Sequence, residues 1–358
     1  MKRAIVILTA ALLIFVLWGK FSAKKVATND AANRTTSNTN SVRSRSLVHG
    51  GRHAGRPSDD STNASAPDTG ETGEKKLSRE QVEAYLLKTK RSAESLLNAF
   101  AETGDTNFLA EAVKNHSDNP LVQWTMLNQE ISPEERAQWL AKLKVSSPDN
   151  ALPNYLSALD DLKAGNTVQA LAEMDSASKK KLSSYEQERA QSREEMYLLS
   201  GFSPLEAKEK GDHGGFSDLA QMKQLSQQVS ELQQKYKATG DNNSNQQLAA
   251  LGVEIGRKYS DPNTPYLIND LVGQTIEKNA LRNLDSETYY DFLGKTAGER
   301  IQEMKEQKQE IYDLAKTFPQ TYSSLSDAEK MIYLNRRMLY GELNAWRWLK
   351  QNYGGETK

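Results

Sequence analysis

PDNALPNYLSALDDLKAGNTVQALAEMDSASKK, residues 148–180, contains two helix signals and the breaks that bound them. Pro148-Asp149-Asn150 halts whatever precedes it. Pro153 stands where proline is tolerated, in the first turn of a helix reaching Ala164. Gly165-Asn166 turns the chain, and Thr167 to Lys180 reads as a second helix. Apolar residues recur at intervals of three and four, the period of one helix face, and nothing alternates with period two. The pattern predicts an antiparallel helical pair.

The same period runs outward on both sides. Towards the N-terminus, Ser78 with Gln81 forms a capping-box start for a helix to about Thr103, burying Val82, Tyr85, Leu86, Leu96, Leu97 and Phe100. Gly104-Asp105 stops it, and shorter helices follow over 106–115, 121–128 and 136–144. Towards the C-terminus a helix is expected from Lys179 to Leu199. Gly201, Pro204, Gly211, Gly214 and Gly215 then cluster, which places a boundary between two helical halves, 78–210 and 211–358. Beyond it, Met222, Leu225, Val229, Leu232 and Tyr236 outline a three-turn heptad seam. Helices over 246–259 and 265–282 follow, then one of some thirty residues from Asp285. Ser324 or Ser326 caps a last helix ending near Tyr353, with a hairpin turn around Pro319. The predicted class is all-α.

Within 90–180 the small residues have a spacing of their own. Ala158, Gly165, Ala170 and Ala177 resemble the small positions of a tetratricopeptide repeat, with Pro148-Asp149-Asn150 where the preceding unit would end. Leu97, Gly104-Asp105, Leu109 and Pro120 follow the same frame less closely. Small residues let paired helices approach, and the glycine relaxes the turn between them. The usual tryptophan and tyrosine positions are mostly missing and the middle unit is short. The resemblance implies stacked helical hairpins, in an α-solenoid or an irregular bundle, with a concave face suited to a peptide.

Lys2 and Arg3 precede an apolar run from Ala4 to Trp18. Its fifteen residues reach only ~22 Å as a helix, short of a ~30 Å hydrocarbon core. Lys20 and Phe21 extend it towards the interface, so residues 1–23 read as a signal anchor, with residues 4–23 in contact with the membrane. Secretory-signal cleavage is the alternative, but Phe21-Ser22-Ala23 and Lys25-Val26-Ala27 both depart from a small-residue cleavage site. The charged start favours a body outside the cytoplasm, on the periplasmic or extracellular side.

Residues 24–77 lack aromatic side chains and any apolar period, which predicts a disordered polar linker. Seven basic residues lie between Lys24 and Arg56 against Asp30 alone, whereas Pro57 to Glu74 holds five acids and no base. Residues 1–78 hold 12 basic and 6 acidic side chains, and the remainder 34 and 41, so a net charge of −1 hides a basic tether and an acidic body. The basic stretch 24–56 could touch an anionic surface; nucleic-acid binding is not expected.

Chemistry is sparse. With no cysteine, disulfides, thiolate metal sites and a cysteine nucleophile are excluded. No hydrolase, zincin, dinucleotide or kinase motif occurs, and Gly211-Asp212-His213-Gly214-Gly215 lacks the lysine and preceding strand of a phosphate loop. No catalytic residue, metal or cofactor is expected. Trp346, Trp348, Tyr340 and Tyr353 form the candidate contact surface near the C-terminus, with Trp346 the one best suited to the core. The expected function is a tethered, non-catalytic scaffold for a protein or peptide partner. The alternatives are a secreted, self-associating helical bundle and an enzyme with an unrecognised site.

Overall fold

The computed structural model describes residues 76–212, 216–261 and 264–354. The expected anchor 1–23 and nearly all of the linker 24–77 lie outside them. Among the described residues there are fifteen α-helices and one short two-stranded ladder, so the class is all-α.

Ser78 opens α1 (Arg79–Lys88) through reciprocal bonds with Gln81. The helix expected to continue to Thr103 breaks instead. Lys90 and Arg91 take φ of 54° and 52°, and Ser92 caps a separate α2 (Ala93–Thr103). Left-handed backbone costs roughly 1–2 kcal/mol per non-glycine residue. The break frees Arg91 to grip Glu111 with two bonds of 2.7 Å, a long-range contact that no local pattern reveals. Asp105, Asn119 and Ser132 then cap α3 (Thr106–Asn115), α4 (Pro120–Leu127) and α5 (Pro133–Ser146).

The stretch 148–180 is a helical hairpin, α6 (Leu152–Lys163) and α7 (Thr167–Ser178), turning at Gly165 with φ 82°. The helix expected from Lys179 starts late. The Ala151 N–H donates to the Lys181 carbonyl (2.7 Å) and the Lys181 N–H to that of Asp149 (3.1 Å), so this segment is extended. Helix α8 (Glu186–Leu199) begins only after it, and Ser203 with Glu206 caps α9 (Pro204–Gly211).

Next come α10 (Ser217–Ala238), α11 (Asn242–Tyr259) and α12 (Leu267–Leu281). Met222, Leu225 and Val229 are buried as the heptad seam requires, but Leu232 and Tyr236 are only half-buried. The buried line instead moves to Ser226, Ser230 and Gln233. A straight helix drifts away from a strict heptad, and the drift brings polar partners inside. Gln233 donates to the Ala280 carbonyl (3.1 Å), and Asn283 to the Ser230 hydroxyl (2.8 Å). Helices α11 and α12 meet backbone to backbone: a Cβ on Gly256 would lie 2.7 Å from the Gly273 carbonyl oxygen.

The long helix expected from Asp285 starts twelve residues later, at Ala297. Strands β1 (Tyr289–Tyr290) and β2 (Lys295–Thr296) pair antiparallel before it. The Asp285 carboxylate accepts from the Glu287 N–H (2.8 Å), and the Tyr290 hydroxyl from the Asp285 N–H (3.0 Å). These side-chain bonds compete with helix formation. Thr296 and Glu299 then box the start of α13 (Ala297–Ser324), which runs straight through Pro319. The expected turn at Pro319 falls instead at Leu325-Ser326, because Phe318 and Tyr322 must share a helix face to stack on each other (5.4 Å) and to pack, tilted and edge-on, against Tyr333. The expected last helix is two, α14 (Asp327–Tyr340) and α15 (Glu342–Tyr353), parted by Gly341 at φ 84°.

Residues 76–358 cluster as one compact unit, and the boundary expected at 210/211 falls within it. Arg136 reaches Gln221 (2.9 Å), the Tyr322 hydroxyl donates to Glu209 (2.8 Å), and Lys258 donates to the carbonyls of Ala177 (3.0 Å) and Ser178 (2.8 Å) at the end of α7. No helix among the described residues is long and apolar enough to cross a membrane.

Candidate contact surface

Four residues of α14, Ile332, Arg336, Leu339 and Tyr340, recur at the three- and four-residue spacing that puts them on one ridge. The other side of the helix, Tyr333, Leu334 and Arg337, is buried. Ile332, Leu339 and Tyr340 keep 46, 70 and 52% of their surface exposed. Isolated exposed apolar residues are ordinary, but three on two turns of one helix form a patch.

Arg336 lies at its centre. Its guanidinium carbon is 4.7 Å from the Trp348 ring centroid and 5.5 Å from that of Tyr340. Trp348 is held in turn by the edge of Tyr353, at 5.4 Å and 68°. Arg336, Tyr340, Asn344, Ala345 and Trp348 line a cleft of about 250 Å³. Asn344 is committed, donating to the Tyr340 carbonyl (2.8 Å) and accepting from Arg347 (3.0 Å). Arg347 clamps Glu310 through two further bonds of 2.7 and 2.8 Å. Among the described residues, no carboxylate lies within ion-pair distance of Arg336 and its Nε has no hydrogen-bond partner. The surroundings of the cleft thus combine two aromatic rings, exposed aliphatic side chains and a cation open to an anionic group.

The ridge rests on a rigid base. Arg337, one position on from Arg336, points inward to an ion pair with Asp212 at the end of α9. The Glu342 carboxylate accepts from the Leu267 N–H (2.7 Å), satisfying a donor at the start of α12, and burial pushes its pKa up. The Trp346 indole N–H donates to the Tyr333 hydroxyl (3.0 Å), and its ring stacks on Phe318 at 4.9 Å.

The sequence-derived residues therefore separate. Trp346 is core, Trp348 and Tyr353 are half-buried, and Tyr340 is exposed. Ala158, Ala170 and Ala177 are fully buried in the α6–α7 hairpin, away from these aromatics in sequence and on other helices. A Cβ on Gly165 would touch nothing within 4 Å, so its positive φ is what selects glycine there. Sequence reasoning missed Arg336, Ile332 and Leu339. Their own three- and four-residue spacing was the available signal, although it does not distinguish an exposed ridge from a buried one.

Elsewhere, His116 contacts the Arg91 carbonyl through Nε2 (3.1 Å), while His49, His53 and His213 lie outside the described residues. Among the described residues no group of three or more His, Asp or Glu side chains could hold a metal. Burial, assisted by the Glu186 charge, raises the Asp218 pKa to about 6; its carboxylate accepts from the Tyr259 hydroxyl at 3.4 Å inside the bundle. Compared with protein-family models, curated proteins and solved structures, the chain gives no match.

Proposed function

We propose that this chain is a membrane-tethered, non-catalytic helical scaffold, its body outside the cytoplasm, that binds another protein or a peptide. The ridge Ile332–Leu339–Tyr340 beside the Arg336 cleft is the observation that carries the reading. Large apolar groups, aromatic rings and an arginine in one patch are the composition that dominates binding energy at protein interfaces. The tether is supported by the apolar run from Ala4 to Trp18 and by the polar stretch that follows it. The repeat-like spacing of Ala158, Gly165, Ala170 and Ala177 supports a solenoid-like arrangement of the first hairpins.

Site-specific photocrosslinking in the natural host tests the reading. A crosslinking amino acid at Leu339 should give a discrete adduct with one protein, whereas one at exposed Lys305 on α13 should not. Adducts of equal yield at both positions, or none at Leu339, would overturn it. An adduct with a second copy of the chain would favour the self-associating bundle.

A further inference from the structure

We infer that the α14–α15 cleft takes an amphipathic helical segment of a partner protein, one that sets a side-chain carboxylate against Arg336 and large apolar side chains against Ile332, Leu339 and Tyr340. This rests on the scaffold reading and specifies the chemistry of the partner.

Charge gives the first argument. Arg336 is half-buried between two rings and no described carboxylate neutralises it; its Nε is itself buried, so a partner would meet the terminal guanidinium nitrogens. The nearest acid along the same face, Glu329, is already engaged by the Ser326 hydroxyl (2.6 Å) and N–H (2.8 Å) and by Tyr353, which together hold its pKa below the usual range. A carboxylate supplied by a partner would meet a cation whose hydration is already reduced by the flanking rings, where a charge-assisted bond is worth more than at an open surface.

Shape gives the second. The exposed ridge from Ile332 to Tyr340 rises roughly 12 Å, a little over two helical turns. A ridge of this kind is complementary to the groove beside a row of side chains on another helix, whose residues at i, i+3 or i+4, and i+7 face one line. A second copy of the chain fits less well. Two-fold pairing through this face would bring Arg336 against its own counterpart, with no carboxylate among the described residues lining the cleft to separate them. The acidic stretch from Pro57 to Glu74 has carboxylates but no large apolar side chain to cover Leu339.

Panning a phage-displayed library of random 16-residue peptides against the full chain in detergent tests this. Enriched sequences should carry Asp or Glu three or four positions from Leu, Ile, Phe or Trp. Synthetic versions should bind at least tenfold more weakly to Arg336→Gln. Glu→Gln in the peptide should weaken binding by a similar factor, and combining the two changes should add little. Arg336→Lys, which keeps the charge but loses the planar fork, should fall between; it also serves as the readout if Arg336→Gln fails to fold. Enriched peptides that are basic or neutral, or that ignore every change at Arg336 and Leu339, would overturn this inference while leaving a scaffold that binds elsewhere. Failure to enrich any peptide would count against both. A dimer in light scattering that Leu339→Glu abolishes would assign the face to a second copy instead.

Discussion

Arg337 and Asp212 form an ion pair in which the two side chains keep only 8 and 16% of their surface. It ties α14, near the end of the chain, to the end of α9. The adjacent residue Arg336 points the other way, into the exposed cleft. Two consecutive arginines thus have unlike roles, because a step of about 100° around a helix separates core from surface.

The pair predicts an asymmetric mutational response. Asp212→Asn leaves Arg337 charged and buried without its counter-ion, which should lower stability by about 3–5 kcal/mol in urea denaturation. Replacing both residues, Asp212→Asn with Arg337→Met, should recover a measurable part of that loss. A double variant as unstable as the sum of both single ones would show that the two side chains act independently.

Asp218 predicts a pH dependence. Its pKa rises from 3.8 to about 6 on folding, so between those values the native state holds more proton than the unfolded chain. Stability from this group is therefore lost as pH rises from about 4 to about 6, and the loss persists above that. Asp218→Asn, which keeps an acceptor for the Tyr259 hydroxyl, should flatten this part of the profile. It should also stabilise the protein at pH 7 by up to about 3 kcal/mol. Thermal melts of both proteins across pH 4–7 measure it; parallel curves would sink the idea.

Gly256 predicts a steric penalty. An added methyl would meet the Gly273 carbonyl oxygen at 2.7 Å and the Glu277 backbone nitrogen at 2.8 Å, so helices α11 and α12 must part. Overpacking of this kind typically costs ~1–3 kcal/mol. Gly256→Ala should lower the melting temperature clearly, while Gln247→Ala, on the exposed side of α11, should leave it nearly unchanged.

Ala170 carries the repeat-like reading. It is fully buried, whereas Gln169 beside it is exposed. Ala170→Leu should destabilise by ~1–3 kcal/mol and Gln169→Leu by much less. Equal effects would mean that the small residue is not required by close packing.

Much of the fold was legible because its signals are local. Ser78, Ser132 and Ser326 each cap a helix through the residue three positions on, a bond formed within one turn. Gly165 and Gly104 end helices through their own φ. The hairpin over 152–178 needs nothing else. The contact surface was half legible: Tyr340, Trp348 and Tyr353 stood out as aromatics, but Ile332, Arg336 and Leu339 look like any helical residues.

What sequence by itself determined is the helical class, most of the helix starts, and the contrast in composition between an apolar N-terminal run, a polar basic-then-acidic stretch and a net-acidic remainder. Those follow from the period of apolar residues and from charge, which need no partner in space. Only tertiary structure decided where long helices break and which polar groups go inside. Lys90 and Arg91 turn left-handed so that Arg91 can reach Glu111, and α13 continues through Pro319 so that Phe318 and Tyr322 can join Tyr333. Gln233 replaces Leu232 in the core because Ala280 and Asn283 wait opposite it. Each outcome is set by a contact between residues far apart in the chain, and the free energy of that contact outweighs a local preference of about a kilocalorie per mole.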